Sequence, residues 1–324
     1  MAQLIKLRDY VSRYEQNIVL YPSRFVRLKK QKWEGIKKAY TTNDRSVFHL
    51  NNPMEEEWIK EKPTFLEKMK TIINRKKTEE EFIDTIDIQE EIQDRDEDDL
   101  QFHYDSNQYK HPHSIDELKL QFLNQLFHFQ LKWASSTLTE ISTVKRTLYY
   151  DDLLKYYLQR FPDTFLVLYQ PIIQLKQAPI ELDTVIITPT EIWCIHLLEA
   201  ENSAVFVGSN EKFWIKKKND QEKKLLSPVI SINRTESIVR SILEKYQILL
   251  PIQKVILTRN GYIDFPTAPY DLTIVEKRNY EEWFQKMRNH HSPIKAIQLK
   301  AAESLLQYGL TVSSRRYEWD KTDQ

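Results

Sequence analysis

The chain has 324 residues and as many Asp and Glu (47) as Lys and Arg (47), so its formal net charge is zero. Its hydrophobic share of 41 % excludes wholesale disorder, and the length allows about two or three domains. Four glycines, with no GxGxxG or GxxxxGK[ST] string, argue against a glycine-rich phosphate loop, and the lone Cys194 excludes internal disulfides and a multi-cysteine zinc site. No run of about 18 apolar residues occurs, and residues Met1 to Arg8 lack a signal-peptide core; a cytoplasmic protein with no membrane partner is expected.

Charge is balanced only in sum. Residues 1–40 hold ten basic side chains, Lys29 and Lys30 among them, against three acidic ones. Tyr21, Trp33 and Tyr40 are interleaved with them, so this stretch reads either as a solvated helix face or as a surface that contacts phosphates and stacks on bases. Residues 79–100 carry twelve acidic side chains and one basic, Arg95, a block that could instead neutralise the basic one. The organisation expected is a helical basic region (1–78), an acidic linker (79–113), a helix with its connection (114–144), a mixed α/β core (145–277) and a helical tail (278–324).

The first clear helix start is Ser114-Ile115-Asp116-Glu117, a capping-box pattern before Leu118, Phe122, Leu126 and Phe129. A second helix is predicted from Asp151 to near Pro162. Apolar, β-rich runs then predict strands at 165–169, 184–187, 191–198, 204–208 and 213–215. Helical spacing returns over Pro228–Tyr246, followed by a strand at Val255–Leu257 and helices at Tyr280–Met287 and Pro293–Tyr308. The fold class expected is α+β: a mixed sheet core flanked by helices and preceded by a mainly helical N-terminal region.

A helix acid followed by a hairpin with a carboxylate on its first strand is a layout that metal-dependent nucleases use. Carboxylates hold Mg²⁺, the ion polarises the phosphodiester and activates water, and a lysine steadies the developing charge. Five ordered segments carry this layout here. Asp151, Leu154, Leu158, Phe161 and Pro162 fit a helix of the form E-x-x-V-x-x-x-L-x-x-L-P. Glu181-Leu182-Asp183-Thr184-Val185-Ile186-Ile187-Thr188-Pro189 fits E-I-D-H-V-V-I-x-P, and Glu191 to Leu198 fits G-I-F-V-I-E-V-K. Ser227-Pro228-Val229-Ile230-Ser231 fits N-P-L-x-Q, and Lys254–Thr258 fits the closing strand. Residues 145–265 thereby resemble the nuclease-related domain, NERD, a bacterial-type branch of the PD-(D/E)-x-K restriction-endonuclease-like superfamily.

That resemblance implies a restriction-endonuclease-like core, Mg²⁺ held by Asp151 and Asp183, and a catalytic set of Asp151, Asp183 and the residue at 196. The departures cut against it. The helix acid is Asp151 rather than Glu, and the E-x-K pair reads His196-Leu197-Leu198, so the second carboxylate is histidine and the lysine is leucine. Leucine can neither donate to a phosphate nor orient water. Three readings follow: a catalytically degenerate nuclease fold, with no metal, that binds nucleic acid (DNA above all) or a partner protein; an active metal-dependent endonuclease using Asp151, Asp183 and His196 or Glu199, with Lys176 or Lys212 as substitute lysine; or a scaffold. Each residue also has a plain structural role open to it. Asp151 can cap a helix, Asp183 can bond a turn, and His196 can be a satisfied half-buried histidine. Lys216, Lys217 and Lys218 form a basic hairpin tip that is either solvated or in contact with phosphate.

Overall fold

The computed structural model describes residues 1–42, 112–175, 178–199, 202–219 and 221–316. The acidic block at 79–100 and Lys176 lie outside them. The chain divides into two compact units, residues 1–31 with 119–324, and residues 32–118.

The larger unit begins with strand β1 (Gln3–Leu7), helix α1 (Arg13–Gln16) and helix α2 (Leu20–Thr42), whose last turns run into the smaller unit. Ser12 and Glu15 cap α1 reciprocally, and Asn17 Oδ1 accepts the free N–H groups of Val19 and Leu20 to start α2. Helix α3 (Ile115–Trp133) returns to this unit, where the Trp133 ring meets Tyr14, Tyr21 and Phe25 at 5.5–6.2 Å. These edge contacts seat the first helices on α3. In the smaller unit, Ser114 Oγ accepts from Glu117 N as the capping pattern predicts, while the Glu117 carboxylate reaches back to His113 N. The tyrosine hydroxyl of Tyr40 donates to Pro112 O within the same unit.

After β2 (Glu140–Ile141), helix α4 (Asp152–Arg160) leads into the strands β3 (Leu166–Tyr169), β4 (Ile172–Gln174), β5 (Pro179–Glu181), β6 (Thr184–Ile187) and β7 (Ile192–Leu197). There follow β8 (Val205–Val207), β9 (Phe213–Lys218), β10 (Gln221–Leu226), helix α5 (Pro228–Lys245), β11 (Ile252–Leu257), β12 (Tyr262–Asp264) and β13 (Leu272–Val275). Helices α6 (Tyr280–Arg288) and α7 (Ala296–Leu306) and a short β14 (Ser314–Arg315) end the described chain.

The main sheet runs β1-β3-β6-β7-β11-β13. β6 is antiparallel to both β3 and β7, and the remaining pairs are parallel. Every residue of β3 and β6 is buried, because α4 and α6 cover one face while α5, backed by α7, covers the other. Tyr157, Phe161, Phe165, Trp193, Trp283 and Phe284 fill the first of these layers. Burying each such side chain stabilises the fold by about 1.5–3 kcal/mol. The fold class is α+β with a helical N-terminal region, as patterning predicts. β1 is the exception: no alternation announces Gln3–Leu7 as a strand, and it becomes one by pairing in parallel with β3 at an edge of the sheet.

A second sheet, β10-β9-β8-β12, stands beside the first. Its buried anchor is Trp214, whose ring meets Phe265 at 5.0 Å. Gly208 passes so close to both that an added Cβ would lie 2.8–2.9 Å from their side chains. No helix among the described residues is long and apolar enough to cross a membrane.

Candidate functional site

Because β6 runs against β3 and β7, its first residue lies beside their last ones, and a cleft of about 310 Å³ opens at this end of the sheet. Open α/β sheets bind ligands in this position, outside the carboxyl ends of the strands. Gln170 follows β3, Glu181 to Thr184 lead into β6, Ile195 to Leu197 close β7, and Leu153 comes from the start of α4. The far wall is Ser231 and Arg234, one turn apart on α5.

Asp183 and His196 meet in this cleft. His196 Nδ1 lies 2.8 Å from Asp183 Oδ1. Thr235, fully buried one residue beyond Arg234, donates its hydroxyl to Asp183 Oδ2 at 3.1 Å and accepts from the Asp183 backbone N–H at 3.0 Å. The carboxylate is therefore held on both oxygens. The Asp183 side chain is only 13 % exposed and the His196 ring 24 %, so the pair is screened from bulk water on most sides. Alternation along β7 places His196 on the face of Cys194, whose thiol burial pushes well above its ordinary value. Cys194 is a small, fully buried core residue.

Asp151 caps α4. Its Oδ1 accepts from Leu153 N and Leu154 N at 3.0 Å each, and its Oδ2 accepts the Tyr169 hydroxyl at 2.8 Å. Burial, and then the adjacent Asp151 charge, raise the Tyr169 phenol far above its usual range, which keeps it a donor. Asp151 thus fills the structural role open to it in the sequence and does not line the cleft.

The lysine position of the family motif is empty of charge. Leu198 is 6 % exposed, and its N–H bonds Leu257 O at 2.8 Å. Glu199 is ion-paired with Arg259, whose guanidinium lies 4.9 Å from the Tyr156 ring. Lys212 sits over the Phe213 ring and is not among the lining residues. Lys216, Lys217 and Lys218 lie on β9 of the second sheet, where Lys217 pairs with Glu222 at 2.8 Å. On α2, Lys29 is paired with Asp163 and Lys30 is exposed. None of these lysines lines the cleft. Among the described residues no three His, Cys, Asp or Glu side chains converge as metal ligands. With both Asp151 and Asp183 committed to protein donors, the side chains present do not fit the carboxylate-held metal that the resemblance implies.

Sequence reading missed four contributors: Thr235, Arg234, Gln170 and Arg8. For the first two a signal existed, since Ser231, Arg234 and Thr235 are spaced at i, i+3 and i+4 on one helix face. Arg8 and Gln170 gave none. They follow the paired strands β1 and β3, and both adopt positive φ (48° and 45°), which is uncommon outside glycine and recurs at functional sites. Arg8 Nη1 donates to Gln170 Oε1 at 3.2 Å and its Nη2 lies 3.6 Å from the Glu181 carboxylate, which puts a cation behind the cleft rim.

Comparison with known proteins gives two findings. Residues 150–259 match the family model of the nuclease-related domain. A stretch of 71 residues is 37 % identical to a Geobacillus stearothermophilus protein named "RNA 2′,3′-cyclic phosphodiesterase", a match covering 21 % of this chain and 22 % of that one. The chain thus spans about a fifth of that relative's length. No solved structure matches. Helix α4, the β6–β7 hairpin and the closing strand β11 all fall inside residues 150–259, the segment that matches the nuclease-related domain model.

Proposed function

We propose that this nuclease-related domain binds nucleic acid across the cleft and has lost the carboxylate–metal chemistry of its superfamily. One observation carries the reading: His196, at the position of the second motif carboxylate, closes on Asp183, while Leu198 removes the lysine. What remains at the cleft suits a phosphate chain. Arg234 lines it, Arg8 backs its rim, and Gln170 and Ser231 offer polar groups. Outside it, the lysines of β9 and β10 add a basic surface. The relative named for acting on an RNA phosphodiester favours a nucleic acid over a partner protein as the ligand.

The test is fluorescence anisotropy with labelled RNA and DNA between 50 and 200 mM salt, run beside Mg²⁺ and Mn²⁺ cleavage assays with Asp183→Asn as control. The expected outcome is binding that weakens steeply with salt, with no dependence on divalent ions. Divalent-dependent cleavage abolished in Asp183→Asn would restore the active metal endonuclease. Absence of binding would leave a scaffold.

A further inference from the structure

We propose that the cleft is a metal-independent site for RNA transesterification, with His196 Nε2 as proton acceptor and the ribose 2′-hydroxyl as nucleophile. The proposal rests on the nucleic-acid reading above and goes beyond it to a reaction.

The orientation of the imidazole comes first. A carboxylate only accepts hydrogen bonds, so the proton on His196 sits on Nδ1, facing Asp183, and the lone pair sits on Nε2. Nε2 has no protein partner among the described residues, and the ring lines the cleft. Asp183 is itself held by Thr235 from both its backbone and its side chain. A base, an orienting carboxylate and a group fixing that carboxylate are the parts of a general-base catalyst. Asp183 and Thr235 are positioning residues, and of the three His196 is the one that meets the substrate.

The choice of substrate follows from what the cleft lacks. Attack by water on a DNA phosphodiester needs the water to be positioned and activated, and among the described residues one imidazole lines the cleft with neither a lysine nor a cluster of metal-holding carboxylates. RNA brings its own nucleophile, the 2′-hydroxyl beside the scissile phosphorus, and intramolecular attack supplies the proximity that the protein does not. In the reaction the 2′-oxygen gives its proton to Nε2 and bonds to phosphorus, and the bond from phosphorus to the 5′-oxygen breaks. The departing 5′-oxygen takes a proton from water, and the imidazolium returns its own to the hydroxide left behind. The products are a 2′,3′-cyclic phosphate and a 5′-hydroxyl, with no other reactant consumed. Arg234, on the opposite wall, is placed to offset the charge that builds on the phosphorane.

The experiment uses the full chain in EDTA with three oligonucleotides of one sequence, as RNA, as 2′-O-methyl RNA and as DNA. The RNA is expected to be cut, leaving cyclic phosphate ends, and the other two are expected to stay intact. His196→Ala should lose about 10²-fold or more in rate, with partial recovery on adding free imidazole, and His196→Gln guards against a folding defect. Asp183→Asn should lower kcat while leaving KM unchanged. RNA that is bound but never cut in EDTA overturns the proposal and leaves the binding reading intact, whereas RNA neither bound nor cut removes both. Cleavage that needs Mg²⁺, or that survives in His196→Ala, also overturns it.

Discussion

His196 Nδ1 and Asp183 Oδ1 lie 2.8 Å apart, on neighbouring antiparallel strands and 13 residues apart in sequence. Where the resembled motif would place a second carboxylate beside Asp183, His196 instead forms a hydrogen bond between two protein groups. Thr235, 52 residues away on α5, completes the arrangement from the other side. Replacing Thr235 by Val keeps the shape and removes the hydroxyl, leaving one Asp183 oxygen and the Asp183 N–H without their partner. The variant should lose about 1–3 kcal/mol, read as a lower urea midpoint at unchanged m. No loss would mean that the Thr235 hydroxyl does not support the pair.

Asp151 makes a second prediction about a residue of the family motif. Asp151→Ala should cost about 1–2 kcal/mol, because two N–H groups of α4 and the Tyr169 hydroxyl lose their acceptor. Asp151→Asn keeps a capping oxygen and should cost less. Equal losses in the two variants would rule out capping as the role.

Two glycines should respond in opposite directions. Gly208→Ala drives a Cβ to within 2.8 Å of Phe265 and 2.9 Å of Trp214, and should destabilise by about 1–3 kcal/mol. Gly35 lies inside α2 with nothing within 4 Å of its added Cβ, so Gly35→Ala should stabilise by about 0.5–1 kcal/mol. Thermal denaturation of the two variants distinguishes the signs directly.

Glu276 links stability to pH. Burial alone would raise its carboxyl, but the Arg278 guanidinium and the Ile263 N–H, 2.8 Å away, bring it below its ordinary value. A folded-state value below the unfolded one adds stability above about pH 4.3, and this is lost as pH falls through the folded value. Urea unfolding from pH 7 to pH 3 should thus show the protein and Glu276→Gln converging at the acid end. A constant gap between them would contradict the linkage.

The β9–β10 hairpin carries the fifth prediction. Replacing Lys216, Lys217 and Lys218 together by Ala should weaken RNA binding more at 50 mM than at 200 mM salt, since each lost phosphate contact flattens the salt dependence. An unchanged slope would place the hairpin outside the interface.

Much of this was legible beforehand. The helix at Ile115–Trp133 announces itself by its capping box, Asp152–Arg160 by its acidic start and the Pro162 stop, Pro228–Lys245 by 3.6-residue periodicity, and β3, β6 and β7 by short apolar runs. These signals are local, so a window of a dozen residues contains them. The short strands β4, β5, β12 and β13 carry no such pattern, because pairing partners rather than alternation define them.

Local sequence by itself determined which side chains stand at the motif positions: Asp151, Asp183, His196 and Leu198, together with the absence of a lysine at 198. Only the tertiary structure decided how they are used. Asp151 turns to its own helix and to Tyr169, Asp183 to His196 and Thr235, and Arg8 reaches Gln170 across 162 residues of chain. A side chain's type is a property of one position, whereas its partner depends on which strands pair and which helix covers them. Those choices are made by burial of the whole sheet.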